Sequence, residues 1–137
     1  MNTAAKAPQY LLIFRGDEWY KELSPEEMQR VADQWMGWFE RLTAQGKAIA
    51  GNPLEGGGKV VSGKNGRVVS DGPFAESKET IGGYFLLQVN GLDEAVAIAK
   101  ECPGLAYGVE VEVRRVAEHC PMMDEARADA EMAPVRA

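Results

Sequence analysis

Asp71, Glu76 and Glu79 crowd around Lys78 in the stretch DGPFAESKET, residues 71–80. Carboxylates beside an ammonium group suit acid–base chemistry, because a neighbouring charge shifts a pKa and a shifted group can move a proton near neutral pH. Glu76 and Lys78 are two apart, so an extended segment aims them the same way. Asp71, Glu76 and Lys78 are therefore the catalytic candidates. Arg15, Asp17 and Trp19 follow the first apolar run, and Tyr84 lies just inside a later one. With Asp71, Phe74, Glu76, Lys78 and Glu79 they form a candidate ligand-binding set, Trp19 supplying an apolar wall at the mouth of a barrel.

The same stretch also reads as a structural connection. Asp71-Gly72 is turn chemistry, glycine before Pro73 relieves a steric restriction, and Phe74 anchors the loop. On that reading the charges are solvated, and surface pairs contribute little. Asp71, Glu76 and Glu79 offer oxygen ligands to a hard cation, but nothing fixes their geometry and no metal is assigned. His119, the only histidine, is followed by Cys120. Adjacent residues rarely aim at one atom, so the pair is assigned to the tail rather than to nucleophilic chemistry. EGGGK is followed by no helix, and neither a dinucleotide fingerprint nor a P-loop occurs, so no cofactor is expected.

These residues need elements to hold them. YLLIF, residues 10–14, reads as a strand. Ser24 is an N-cap with Pro25 behind it and Glu27 completing a capping box. Met28, Val31, Trp35, Trp38, Phe39 and Leu42 recur at helical spacing, so the aromatic trio reads as core, and Gly46 ends the helix. A short strand begins at Lys47 and runs into a glycine-rich loop. KVVSGKNGRVVS reads as a hairpin turning at Asn65-Gly66. GGYFLLQV is a strand, LDEAVAIAKEC a helix closed by Pro103, and YGVEVEVRRV a strand with a period of two. The order is β-α-β, a hairpin, then β-α-β. This is an α+β, ferredoxin-like βαββαβ pattern with an inserted hairpin and an antiparallel sheet. Residues 1–8 read as an arm, 9–116 as the domain, and 117–137 as an acidic tail or helical extension.

The two central strands, YLLIF and YFLLQV, are apolar almost throughout, whereas a sheet with one wet face should alternate. Their second face needs a cover. Either a second copy packs its sheet face to face about a two-fold axis, giving a dimeric barrel, or the C-terminal tail folds back. The homodimer is the expectation.

Chain-wide properties narrow the classes. One domain fits 137 residues. A net charge of −6 argues against nucleic acid, whose phosphates call for a basic patch. No apolar run approaches the roughly 20 residues of a membrane helix, and MNTAAKAPQ lacks the apolar region of a secretion signal. The expected compartment is the cytoplasm, with Cys102 and Cys120 reduced.

Taken together, YLLIF, LSPEEM, DGPFAESKETIGGYFLLQV and LDEAVAIAKECPG…YGVEVEVRRV resemble the DGPF branch of the YCII-related domain proteins over residues 9–116. The signature of that branch reads like D-G-P-F-A-E-[TS]-K-E followed by G-G-Y; here Ser77 takes the variable position and Thr80-Ile81 precede Gly82-Gly83-Tyr84. The resemblance implies a dimeric α/β-barrel of bacterial source, and many such proteins sit beside extracytoplasmic-function sigma factors. Most have no assigned activity. Some relatives in the wider group resemble small dehalogenating or isomerising enzymes with a histidine–aspartate pair near the end of the first strand and in the first helix. Here Arg15 is followed by Gly16, Asp17, Glu18 and Trp19, so that pair does not carry over. The expected function is a homodimer binding a small polar or aromatic molecule, accessory to a sigma-factor or stress circuit as the resemblance implies. The alternative is a cofactor-free isomerase, lyase or hydrolase using a carboxylate acid or base.

Overall fold

The structure is a computed structural model that describes residues 7–16, 19–72 and 80–132. Asp17, Phe74, Glu76, Lys78 and Glu79 lie outside the described residues. The chain order is β1 (Gln9–Arg15), α1 (Pro25–Ala44), β2 (Ala48–Pro53), β3 (Lys59–Ser62), β4 (Val68–Asp71), β5 (Ile81–Gln88), α2 (Leu92–Ala99), β6 (Glu110–Arg115) and α3 (Pro121–Met132). Strands β2, β5, β1 and β6 form one sheet in that order, and β3 and β4 form a separate ribbon. Every pairing is antiparallel. The fold is thus α+β and ferredoxin-like, with the hairpin inserted between β2 and β5.

Alternation sorts the sheet into two faces. Tyr10, Leu12 and Phe14 of β1 and Phe85 and Leu87 of β5 are buried. They meet Trp38 and Leu42 of α1 and Ala95, Ile98 and Ala99 of α2 in one core, with Val111 and Val113 of β6 packed against it. The opposite face presents Leu11 and Ile13 of β1 and Tyr84 and Leu86 of β5, all partly exposed. Leu11 lies opposite Leu86, and Ile13 opposite Tyr84, so the apolar residues form one patch.

Local signals explain the helix ends. Ser24 Oγ accepts the Glu27 N–H at 3.2 Å and its hydroxyl donates to the Glu27 carboxylate. Gly46, at φ +74°, takes the left-handed conformation expected of a residue just past a helix. At α2, the Glu94 carboxylate reaches back to accept the Asn90 N–H at 2.9 Å, with Lys47 Nζ 3.4 Å away. The Asn90 bond, followed by Lys47, outweighs desolvation and holds the Glu94 carboxyl below its ordinary 4.5. A lowered folded-state pKa adds stability that is complete above the unfolded value and lost as pH falls through the folded one. Glu94→Gln is therefore expected to flatten the fall in stability below about pH 5, read as urea midpoints at stepped pH. An unchanged acid limb would rule Glu94 out as a contributor.

Asn65 and Gly66 take positive φ, 61° and 67°, as their turn chemistry requires. The connection is longer than a two-residue hairpin, however. The ladder closes at Ser62 and Val68, because Gly63 leaves it at φ +83° and accepts the Gly66 N–H within a single 3₁₀ turn. α2 stops at Ala99 rather than at Cys102, and a second 3₁₀ turn, Pro103–Tyr107, precedes β6. Past β6, α3 is a helix, yet every residue from Val116 to Glu131 is exposed. It does not cover the open face of the sheet. No helix among the described residues is long and apolar enough to cross a membrane.

Candidate functional site

The apolar face of α1 divides its work. Trp38 and Leu42 are fully packed, whereas Met28, Trp35 and Phe39, nearer the end of β1, keep residual exposure. That exposure opens into a cavity of about 540 Å³ between α1 and the sheet. β1 contributes Phe14, β5 contributes Gly82, Gly83 and Phe85, and the β1–α1 connection supplies Trp19, Tyr20 and Leu23. Among the described residues that line it, none carries a charged side chain.

Aromatic packing holds these walls. Phe14 lies edge-on to Trp35 at 4.7 Å and to Phe85 at 4.9 Å, and Phe39 is tilted on Phe85 at 4.8 Å. Trp19 stacks on Tyr107 at 5.7 Å and stands edge-on to Tyr20 at 5.7 Å. The loop over the cavity thus leans on the 3₁₀ turn before β6. Among the described residues, the Trp35 indole nitrogen is a buried side-chain donor with no hydrogen-bond partner.

Two glycines keep the sheet side of the cavity open. Phe14 pairs with Gly83 but Arg15 pairs with Ile81, so Gly82 is an extra residue in β5, a bulge. A Cβ on Gly82 would meet the Gly16 carbonyl oxygen at 2.6 Å, so only hydrogen fits. The bulge ties three strands at this end: Gly16 N–H donates to the Thr80 carbonyl, and Leu54 N–H to the Gly82 carbonyl, both at 2.9 Å. On β2, a Cβ at Gly51 would lie 2.6 Å from Phe85 and 2.8 Å from Phe39, so that glycine leaves room for both rings.

The residues singled out in the sequence fall in different places. Trp19 lines the cavity. Arg15 lies on the opposite face, where its guanidinium pairs with Glu112, whose other oxygen accepts Arg114 Nη1 at 3.1 Å. Arg15 and then Arg114 hold the Glu112 carboxyl below its ordinary range. Tyr84 alternates with Phe85 and joins the open face. Asp71 pairs with Lys59 across the base of the exposed β3–β4 ribbon. Arg15, Trp19, Asp71 and Tyr84 are thus not gathered in one pocket within the protomer. Among the described residues no group of three or more His, Cys, Asp or Glu could hold a metal ion. Cys102 is a free, buried thiol pushed up to about 11 by desolvation, while Cys120 is free and exposed. Trp35 and Phe39 were not separable from core in the sequence, since a cavity wall and a packed interior read alike. The one available signal was the aromatic pair Trp19-Tyr20 standing in a loop.

The YCII-related domain matches residues 9–119, most of the chain. The chain belongs to the YCII-related domain family. No curated protein matches it. Solved structures similar to it include 5-chloro-2-hydroxyhydroquinone dehydrochlorinase (TftG) from Burkholderia phenoliruptrix AC1100, in complex with 2,5-dihydroxybenzoquinone. That protein is 19% identical, with 80% of this chain and 95% of that chain covered, at a TM-score of 0.41. The YCII-related match spans all four strands of the main sheet together with α1 and α2.

Proposed function

We propose that this YCII-related protein works as a homodimer joined through the open sheet face, each protomer binding a small, flat, uncharged aromatic molecule between α1 and the sheet. The observation that carries the reading is the wall of the cavity. The rings of Phe14, Trp19, Tyr20, Trp35, Phe39 and Phe85 surround a volume of about 540 Å³, and none of the described lining residues carries a charged side chain. Small-molecule sites commonly enclose roughly 300–1,000 Å³ behind such apolar walls. Aromatic walls favour a flat guest by offset and edge-on contacts, whereas a charged guest would give up hydration with no compensating charge among the described lining residues. The expected class narrows accordingly, from polar or aromatic to aromatic.

The test is titration with N-phenyl-1-naphthylamine, a neutral aromatic probe, followed by its own emission. Saturable binding is expected, and Trp19→Ala should raise the dissociation constant about tenfold by removing one wall, with circular dichroism unchanged. Equal affinity in the two proteins would reject the cavity. The DGPF stretch ends at buried Thr80, whose carbonyl holds cavity residue Gly16. Glu76→Ala and Lys78→Ala therefore belong in the same assay. Turnover of an aromatic substrate that either substitution removes would favour the acid–base enzyme instead.

A further inference from the structure

Two elements of this chain bury almost nothing. In the β3–β4 ribbon, Val60, Val61, Val68 and Val69 are between 46% and 62% exposed. The ladder places Val61 opposite Val69, while Val60 and Val68 flank it on the other side, so both faces of the ribbon are apolar. An isolated two-stranded hairpin is marginal in water. α3 is likewise exposed along its described side chains and carries Met122, Ala126 and Ala130 four apart on one stripe. An isolated helix of about 12 residues is also marginal.

Their charges are opposite. Lys59, Lys64 and Arg67 against Asp71 leave the ribbon at +2, in a chain whose net charge is −6. Glu118, Asp124, Glu125, Asp129 and Glu131 against Arg127 leave residues 117–131 at −4. Glu125 and Asp129 share one side of the helix. We infer that the β3–β4 ribbon is an arm that docks on α3 of a second copy of this chain. Both elements are exposed within the protomer, so they do not shield each other there. Four strands about 4.8 Å apart and about six residues long span an open face of about 20 by 20 Å, and an arm in each direction about a two-fold axis would add contact beyond that face.

The inference rests on the dimer reading, and mixing two charge-reversed full-length chains separates them. Lys64→Glu with Arg67→Glu puts an acidic arm against an acidic helix; Glu125→Lys with Asp129→Lys puts a basic helix against a basic arm. Each protein alone should dimerise about tenfold more weakly than wild type in sedimentation velocity. Mixed in equal amounts, they should recover wild-type affinity, because both contacts of the mixed dimer are then complementary. Circular dichroism keeps misfolded variants out of the comparison. A wild-type dimer indifferent to these charges, or no recovery on mixing, overturns the arm contact and leaves the open-face dimer standing. Recovery only when both pairs are changed in one chain assigns the contact to a single protomer and overturns it too. A monomeric wild type overturns the dimer reading and the arm with it.

Discussion

Trp38→Ala is expected to destabilise the protomer by about 3–5 kcal/mol, the usual loss when a buried large aromatic is cut to alanine. Trp38 is 2% exposed and sits where three elements meet. Its ring lies 4.9 Å from Phe85 of β5 and 6.0 Å from Phe14 of β1, and the indole nitrogen donates to Glu101 at 3.1 Å beyond α2. Alanine leaves a void that these rings cannot close, because Phe14 and Phe85 are also held by Trp35. Trp38→Phe separates the two contributions: it keeps most of the volume and loses the hydrogen bond, for a cost of about 1 kcal/mol from the bond. Urea unfolding at fixed protomer concentration checks both, since the proposed dimerisation would tie stability to concentration. Equal losses in the two variants would mean that the Glu101 bond, not the packing, holds α1 in place. With total stabilities of about 5–15 kcal/mol for a domain of this kind, the alanine variant stands near the limit of folding.

How far the sequence reveals this arrangement depends on what a pattern can encode. Ser24 and Gly46 mark the ends of α1 because capping is local chemistry, complete within four residues. The strand order follows from element types, and central strands that are apolar almost throughout announce a second face that needs a cover. Asn65 and Gly66 show their positive φ, but the ladder stops earlier because Gly63 has the same freedom, and sequence alone does not rank competing glycines. The site is less legible. Trp35, Trp38 and Phe39 look equivalent on the helical stripe; only the packing of α1 on the sheet shows that Trp38 is core and the other two a cavity wall. Arg15 and Tyr84 drew attention through nearness in sequence to Asp17 and the DGPF stretch. Yet the period of two already sets Arg15 with Leu11 and Ile13, and Tyr84 with Leu86, on the face away from Phe14 and Phe85. Gly82 and Gly83 read as part of a signature; their role as a bulge that brings three strand ends together needs the register.

The same alternation makes the open face the place for the sharpest test of assembly. Leu86 lies opposite Leu11 on one side and Ala50 on the other, at the middle of the apolar patch. In the protomer it is partly exposed, so a lysine there can extend its ammonium into water along a flexible stem, and the fold is expected to survive. In a face-to-face dimer that ammonium is trapped near its symmetry mate, with no partner. An uncompensated buried charge costs about 3–5 kcal/mol, so Leu86→Lys should weaken dimerisation at least about 100-fold and sediment as a monomer at micromolar concentration. The cavity lies on the other face of β5, lined by Phe85 rather than by its neighbour. Probe affinity should therefore stay near wild type, provided that the partner contributes nothing to the wall. A variant that remains dimeric with its affinity intact would remove the open face from the interface and leave Leu11, Ile13 and Leu86 needing another cover. Loss of probe binding together with the dimer would mean that the cavity is completed by the second subunit, joining assembly and ligand binding in a single equilibrium.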